Sequence, residues 1–265
     1  KAIARLLSRH SEDQLSLAET SHQIRALFEI TTFPEALEKE IRTAYTELSK
    51  RYQTETTDVA VRSSATAEDL PDASFAGQQD SFLNIQTEAE LLDSVKRCWA
   101  SLWTARAMAY RQRQAIAPDA VSLAVVVQQL VEAESAGVLF TANPLSGERD
   151  EMVINATWGL GEAIVGGQVT PDTVVVDKAT GQILSRETAT KTTMTVRMDS
   201  GTAEQSVPQA LQNEVVLEGV SAEKLAKLGV QIEDHYAMAM DIEWAIAAGE
   251  IAILQARPIT ALPPA

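Results

Sequence analysis

Residues 59–85 read VAVRSSATAEDLPDASFAGQQDSFLNI, and the change of texture at Arg62 decides how the chain is laid out. Val59, Ala60 and Val61 form a short apolar run that predicts a buried strand. Arg62 leaves that strand, with Ser63, Ser64 and Thr66 close behind. A fixed guanidinium can clamp phosphate oxygens bidentately, with hydroxyls and backbone N–H groups beside it. The same residues fit equally well a serine-rich turn in which Arg62 pairs with Glu68 or Asp69, because surface ion pairs of that kind are common.

Upstream, FPEALEKEIRTAYTELSKRY (33–52) places Leu37, Ile41, Tyr45 and Leu48 on one helical face, with Pro34 suited to the first turn. This predicts an amphipathic helix packed on a sheet. Downstream, Thr87 and Glu90 form a capping box that opens a helix over residues 88–111. Its apolar stripe is Leu91, Val95, Trp99 and Leu102, so Trp99 and Trp103 are assigned to the core. From Val121 the texture turns to β: SLAVVVQQLV, GVLFTA, EMVINAT, TVVVDKATGQIL and TATKTTMTV are short runs rich in β-branched residues. Residues 177–182 form a hairpin turn around Gly181. Residues 199–205, rich in small and polar side chains, predict a mobile loop, and residues 222–237 a further helix. Helices followed by successive hairpins predict an α+β arrangement, a mostly antiparallel sheet covered by helices on one face.

A chain of 265 residues, 45% hydrophobic, can bury a substantial core and is sized for one large or two modest domains. The longest apolar stretches, such as residues 123–127, fall far short of a membrane span, and no signal-like segment opens the sequence. A soluble, cytoplasmic protein with no membrane association is expected. The net charge of −15 supplies no basic stripe for nucleic acid, so any anion site must be local. His10, His22 and His235 are too dispersed for a zinc site. Cys98, the single cysteine, excludes an internal disulfide and sits in a helical pattern, which predicts a small buried side chain rather than a reactive thiol.

The C-terminal stretch DIEWAIAAGEIAILQAR (241–257) reads as two strands closing over Gly249. Strand parity puts Glu243 on one face of its strand, and Gln255 with Arg257 on one face of the partner. A three-residue loop would set Glu243 opposite Gln255. A carboxylate and an amide oxygen so placed are hard donors of the kind Mg²⁺ accepts, with phosphate oxygens and water completing its shell. Arg257 would then reach the same phosphates. On chemistry alone the plainer alternative is favoured, a solvated polar face on an amphipathic hairpin, because half-solvated antiparallel sheets are common.

Four stretches, VRSSATAEDLPDASFAGQQ (61–79), SAGVLFTANPLSG (135–147), INATWGLGEAIVGGQVTPD (154–172) and DIEWAIAAGEIAILQARPIT (241–260), closely resemble in residues and order the ATP-binding domain of the phosphoenolpyruvate-utilising dikinases. That family includes phosphoenolpyruvate synthase, pyruvate phosphate dikinase and the rifamycin phosphotransferases. The resemblance runs from about Ile24 to the end and is weakest over residues 191–219. It implies an ATP-grasp fold with an incomplete N-terminal subdomain. Residues 1–57 would be a helical segment from the end of the first subdomain, and residues 58–265 the nucleotide-binding region.

The resemblance implies ATP and Mg²⁺ as ligands. Arg62 matches the family's phosphate-binding arginine, and Gly77 and Ser81 match the place where a lid-like loop meets the nucleotide, Ser81 standing where some relatives have Thr. Gln128 matches a nucleotide-contacting glutamine, although a polar residue on an edge strand is an equally plain reading. Glu243 and Gln255 match the metal positions and Arg257 a phosphate position. Gly159, Gly161, Gly166 and Gly167 would permit close backbone packing or approach to phosphate, a weak signal by themselves. The family's ATP site also takes a lysine from a glycine-rich segment that is expected to precede Lys1. Its phosphohistidine lies on a separate swivelling domain, for which none of the three histidines has the surrounding motif.

The implied function is the nucleotide-binding part of a dikinase resembling phosphoenolpyruvate synthase. Such an enzyme moves the β-phosphate of ATP to a carrier histidine, releases AMP and phosphate, and hands the phosphoryl group to an acceptor bound on another domain of the same parent protein. Two alternatives share the domain. One is a rifamycin phosphotransferase, which residues 133–181 resemble at least as well, and the other is a nucleotide-binding module without catalysis.

Overall fold

The opening helices are set by their ends: α1 (Ala2–Ser11), α2 (Leu17–Ile30), begun by a Ser16–Glu19 capping box, and α3 (Glu35–Arg51). Pro34 is the N-cap residue of α3 and precedes its first turn. In the computed structural model, residues 1–66, 69–70, 73–74, 80–118, 120–167, 169–259 and 262 are described. After α3 come β1 (Val59–Ala65), the two-residue ladder β2 (Asp69–Leu70) and β3 (Ala73–Ser74), then β4 (Ser81–Ile85), α4 (Glu88–Ser101), α5 (Ala105–Arg113) and β5 (Leu123–Gln129). The chain packs as two units, Lys1–Leu130 with Asp199–Gly201, and Val131–Met198 with Thr202–Ala265.

In the first unit β1 is the central strand of an antiparallel sheet ordered β4-β1-β5. Val59 and Val61 point one way and join Tyr45, Leu91, Val95 and Cys98 in a core flanked by Phe82, Ile85, Trp99, Val125 and Val127. This is the alternation that a sheet with one buried face requires. The Tyr45 hydroxyl reaches past this core and donates to Thr57 O at 2.8 Å. Cys98 is buried, and that burial, with Asp80 nearby, pushes its thiol up to about 12. The continuous helix expected over residues 88–111 is instead two. The Thr104 side chain accepts from Ala107 N and so caps a new helix. Arg111, itself buried, donates to Leu102 O at 2.6 Å and satisfies a carbonyl that the break would otherwise leave bare. Trp103, between the two helices, is buried, in keeping with its assignment to the core.

The second unit contains β6 (Ser135–Phe140), β7 (Glu151–Trp158), the short α6 (Glu162–Val165), β8 (Asp172–Asp177), β9 (Ile183–Glu187), β10 (Thr193–Arg197), β11 (Thr202–Ser206), α7 (Gly219–Tyr236), β12 (Met240–Ala247) and β13 (Glu250–Pro258). Six strands form an antiparallel sheet in the order β13-β12-β6-β7-β8-β9. Leu139, Met152, Ile154, Val174, Val176, Ile242 and Trp244 face a core shared with Leu225 and Ala226 of α7. At Gly229 a Cβ would come to 2.7 Å from Leu139 Cδ2, so the missing side chain lets α7 lie close on the sheet. The turn expected at residues 177–182 is present: Gly181 N donates to Asp177 O and Asp177 N to Gln182 O, each at 2.8 Å.

The loop expected at residues 199–205 is instead the turn and returning strand of the β10–β11 hairpin, paired from Thr193–Ser206 to Arg197–Thr202. The first strand, β10, lies in the β-branched run that ends at Val196, but β11 (TAEQS) is polar and lacks such a run, so cross-strand pairing supplies what its local propensity does not. The described helices and antiparallel sheets make a mixed fold of the expected class, and no described helix is long and apolar enough to cross a membrane.

The ion pair between Lys191 and Asp172 is fully buried in this unit. Lys191 Nζ is 2.6 Å from Asp172 Oδ1, with side-chain exposures of 0% and 1%. Asp172 also accepts from Ala189 N and Val216 N, both at 2.9 Å, and Lys191 Nζ donates to Ala189 O at 2.8 Å. A buried charge is tolerable only when paired and hydrogen-bonded. Asp172 and Lys191 meet that condition while tying the start of β8 to two irregular segments, around residues 189–191 and 213–216.

Candidate functional site

The polar face of the first unit's sheet follows from the register of β1. Arg62 is directly opposite Ser81 on β4 and Val126 on β5, and Ala60 is opposite Gln128. Residues paired directly, or two apart on a strand, share a face, so Arg62, Ser81 and Gln128 stand together on the side turned away from the core. Arg62 is partly exposed and Ser81 exposed. Gly77 lies outside the described residues, as do Glu68 and the side chain of Asp69, the alternative partners of Arg62.

In the second unit Glu243 of β12 is directly opposite Gln255 of β13. The reason differs from the one the sequence suggests. The connecting turn has two residues, Ala248 and Gly249, both at positive φ (50° and 77°), the signature of a type I′ turn. A two-residue turn alone would set Glu243 against Leu254. A bulge between Glu243 and Trp244 absorbs Leu254 and brings Gln255 into line. Without it, Gln255 would point to the opposite face.

The same register sets Asp241 opposite Arg257. Arg257 Nε donates to Asp241 Oδ2 at 2.9 Å, and its Nη2 lies 2.9 Å from the same oxygen. The pair is largely buried, with exposures of 23% and 13%, so the guanidinium is held in one orientation. Asp241 was not among the residues singled out from the sequence, yet its signal was there. It stands two residues before Glu243 on a strand, and any register that matches Glu243 to Gln255 matches Asp241 to Arg257. Beyond Glu243 the cross-strand row continues through Val138, Asn155 and Thr173, and the Thr173 hydroxyl donates to Asn155 Oδ1 at 3.0 Å.

Glu243 and Gln255 therefore offer hard oxygens from adjacent strands beside a fixed cation. Two such donors suit Mg²⁺, which keeps several waters and phosphate oxygens in its shell. No cluster of three His, Cys, Asp or Glu side chains among the described residues is placed to hold a metal by itself. The glycines of residues 159–167 divide in role. Gly159 has φ 76°, and a Cβ there would come to 2.3 Å from Thr195 O, where Leu160 N donates at 2.9 Å. Its task in this structure is close backbone packing. Around Gly167 a Cβ would meet nothing within 4 Å.

The whole chain, residues 1–265, matches the family model described as pyruvate phosphate dikinase, AMP/ATP-binding domain. It is similar to the probable phosphoenolpyruvate synthase of Methanothermobacter thermautotrophicus, 47% identical over 250 residues that cover 94% of this chain and 36% of that protein. The phosphoenolpyruvate synthase of Pyrococcus furiosus is 46% identical over 260 residues, 95% of this chain and 32% of that one. The probable phosphoenolpyruvate synthase of Archaeoglobus fulgidus is 49% identical over 251 residues, 95% of this chain and 33% of that one. The chain thus spans about a third of the length of these relatives. With its full length matched and near-half identity to these relatives, the chain belongs to the pyruvate phosphate dikinase AMP/ATP-binding domain family.

Proposed function

We propose that this chain is the Mg-ATP-binding module of a dikinase resembling phosphoenolpyruvate synthase, built on an ATP-grasp plan and working in the cytoplasm, where ATP is supplied. The observation that carries the reading is the alignment of Glu243 with Gln255 beside an Arg257 fixed by Asp241. Glu243 and Gln255 would hold Mg²⁺, whose part is to neutralise phosphate charge. Arg257 and Arg62 are the cations for the phosphates, with Gly77, Ser81 and Gln128 as further nucleotide contacts. Residues 1–57 end the first ATP-grasp subdomain and residues 58–265 carry the nucleotide-binding region. Phosphoryl transfer passes through a transition state whose charge is spread over oxygens, so positioning and charge neutralisation are most of what the protein supplies. ATP and water become AMP and inorganic phosphate, and the β-phosphoryl group remains on a carrier histidine of another domain before passing to pyruvate.

Calorimetric titration with a non-hydrolysable ATP analogue, with and without Mg²⁺, tests this reading. A hydrogen bond to a charged group contributes about 1.5–3 kcal/mol, so Arg257→Ala should weaken binding roughly 10- to 150-fold. Glu243→Gln should abolish most of the gain that Mg²⁺ brings. Binding by the native chain that is indifferent to both substitutions would remove the assignment.

A further inference from the structure

Asparagine is depleted in strands, yet Asn155 stands in the middle of β7, an interior strand paired with Val138 of β6 on one side and with Thr173 of β8 on the other. Its place is the row that begins with the candidate donor pair. Gln255, Glu243, Val138, Asn155 and Thr173 stand opposite one another in turn across β13, β12, β6, β7 and β8. Directly paired residues share a face, so Asn155 is on the face of Glu243 and Gln255. That is the side turned away from the core under α7, and Asn155 is partly exposed there.

The side chain is fixed at one end and idle at the other. Asn155 Oδ1 accepts from the Thr173 hydroxyl at 3.0 Å, which holds the oxygen on the β8 side and turns Nδ2 away from it. An amide nitrogen carries two N–H donors. Val138, on the β6 side, is apolar and 8% exposed, and Val153, the next residue of β7 on this face, is apolar as well. Thr157, the next one in the other direction, has a buried Oγ1 without a hydrogen-bond partner, so it does not take the amide either. Among the described residues Nδ2 has no acceptor, and its donors are left for an oxygen that arrives from outside the sheet.

We propose that Asn155 donates through Nδ2 to a non-bridging γ-phosphate oxygen of Mg-ATP and so makes the site discriminate a nucleoside triphosphate from a diphosphate. Thr173 is the positioning residue that holds the amide for it. This rests on the function proposed above. Adjacent strands lie about 4.8 Å apart, so Asn155 is two strand spacings, about 10 Å, from Glu243, and farther from Gln255 and Arg257 on β13. Metal ions that serve phosphoryl transfer bridge β- and γ-oxygens. A donor set apart from the cations meets an end of the phosphate chain. The end phosphate has more non-bridging oxygens than an inner one, which leaves one for Asn155 after the metal has taken another.

Calorimetric titration of the chain with AMP, ADP and a non-hydrolysable ATP analogue, each in the presence of Mg²⁺, separates the phosphates. Asn155→Ala should weaken the ATP analogue by roughly 10- to 150-fold, the range of one hydrogen bond to a charged group, and leave ADP and AMP within about twofold of native. Asn155→Asp keeps the shape of the side chain and an oxygen for the Thr173 hydroxyl, but sets a negative charge where the donors were. It should bind the analogue more weakly still, and it decides the matter if Asn155→Ala does not fold. Thr173→Val releases the amide and should weaken the analogue by about three- to tenfold, again sparing ADP and AMP. Equal weakening of all three nucleotides gives Asn155 to the fold or to the nucleoside and overturns the proposal. Analogue affinity unchanged by both Asn155 substitutions overturns it too and leaves the Asn155–Thr173 pair as a solvated feature of the sheet. A native chain that binds the analogue no better than ADP overturns the γ-phosphate contact while the nucleotide site stands. One that binds none of the three removes the function proposed above, and the role of Asn155 with it.

Discussion

Replacing Lys191 by methionine isolates one interaction at nearly constant volume. In the native chain the Asp172 carboxylate has three partners, Lys191 Nζ at 2.6 Å and the N–H groups of Ala189 and Val216 at 2.9 Å. Methionine fills most of the space of the lysine stem but leaves the carboxylate with two dipoles and no cation, at 1% exposure. Removing one partner of a buried pair costs about 3–5 kcal/mol. For a unit of this size that is a fall in Tm of roughly 10–20 °C. Thermal unfolding followed by hydrogen exchange of peptides from β7, β8 and β12 reads the second unit separately. Asp172→Asn strands the ammonium instead, and combining it with Lys191→Met removes both charges. The double variant should therefore cost less than the sum of the singles by about 2 kcal/mol. A Lys191→Met unit that melts within about 3 °C of native would refute the account, because no uncompensated charge of that kind survives burial so cheaply.

Two further outcomes follow from the packing. Gly229→Ala gains about 1 kcal/mol of helix propensity, but its Cβ would meet Leu139 Cδ2 at 2.7 Å and Met152 Sδ at 3.4 Å. Overpacking costs about 1–3 kcal/mol, so urea unfolding should show net destabilisation, and a stabilised variant would mean that α7 is free to shift. The Cys98 thiol lies at about 12 in the fold against about 8.5 in an unfolded chain. Its thiolate is thus favoured by unfolding, and the contribution is fully present below about pH 8.5 and lost as pH rises toward the folded value. Between about pH 8.5 and 10 the native chain should lose stability more steeply than Cys98→Ala. Equal slopes would rule the effect out.

Much of this structure was legible because local chemistry and tertiary packing agree. The Thr87–Glu90 capping box, the apolar Val59–Val61 run and the turn at Gly181 each form where their residues require. The misreadings occur where side chains act over a distance. The break between α4 and α5 depends on Arg111 reaching Leu102 O. The polar strand β11 depends on its pairing with β10, and the Asp172–Lys191 pair, which forms across 19 positions of sequence, has no local signal at all. In the candidate site, Glu243 and Gln255 were readable by parity, but the bulge that aligns them leaves no mark in composition. Asp241 went unread although it follows from the same register.

The bulge at Leu254 also bears on how this hairpin can change over generations. Because the extra residue lies between the turn and the donor pair, the two are insulated from each other. Deleting Leu254 would leave a regular ladder with Glu243 still facing Gln255. A one-residue loss there is silent for the facing of the donors, whereas the same loss between Gln255 and Arg257 would turn Arg257 to the other side. The hairpin thus has one stretch in which length can drift and another in which it cannot. The Ala248–Gly249 tip, on the tolerant side, is the natural place to graft a reporter peptide without disturbing the polar face.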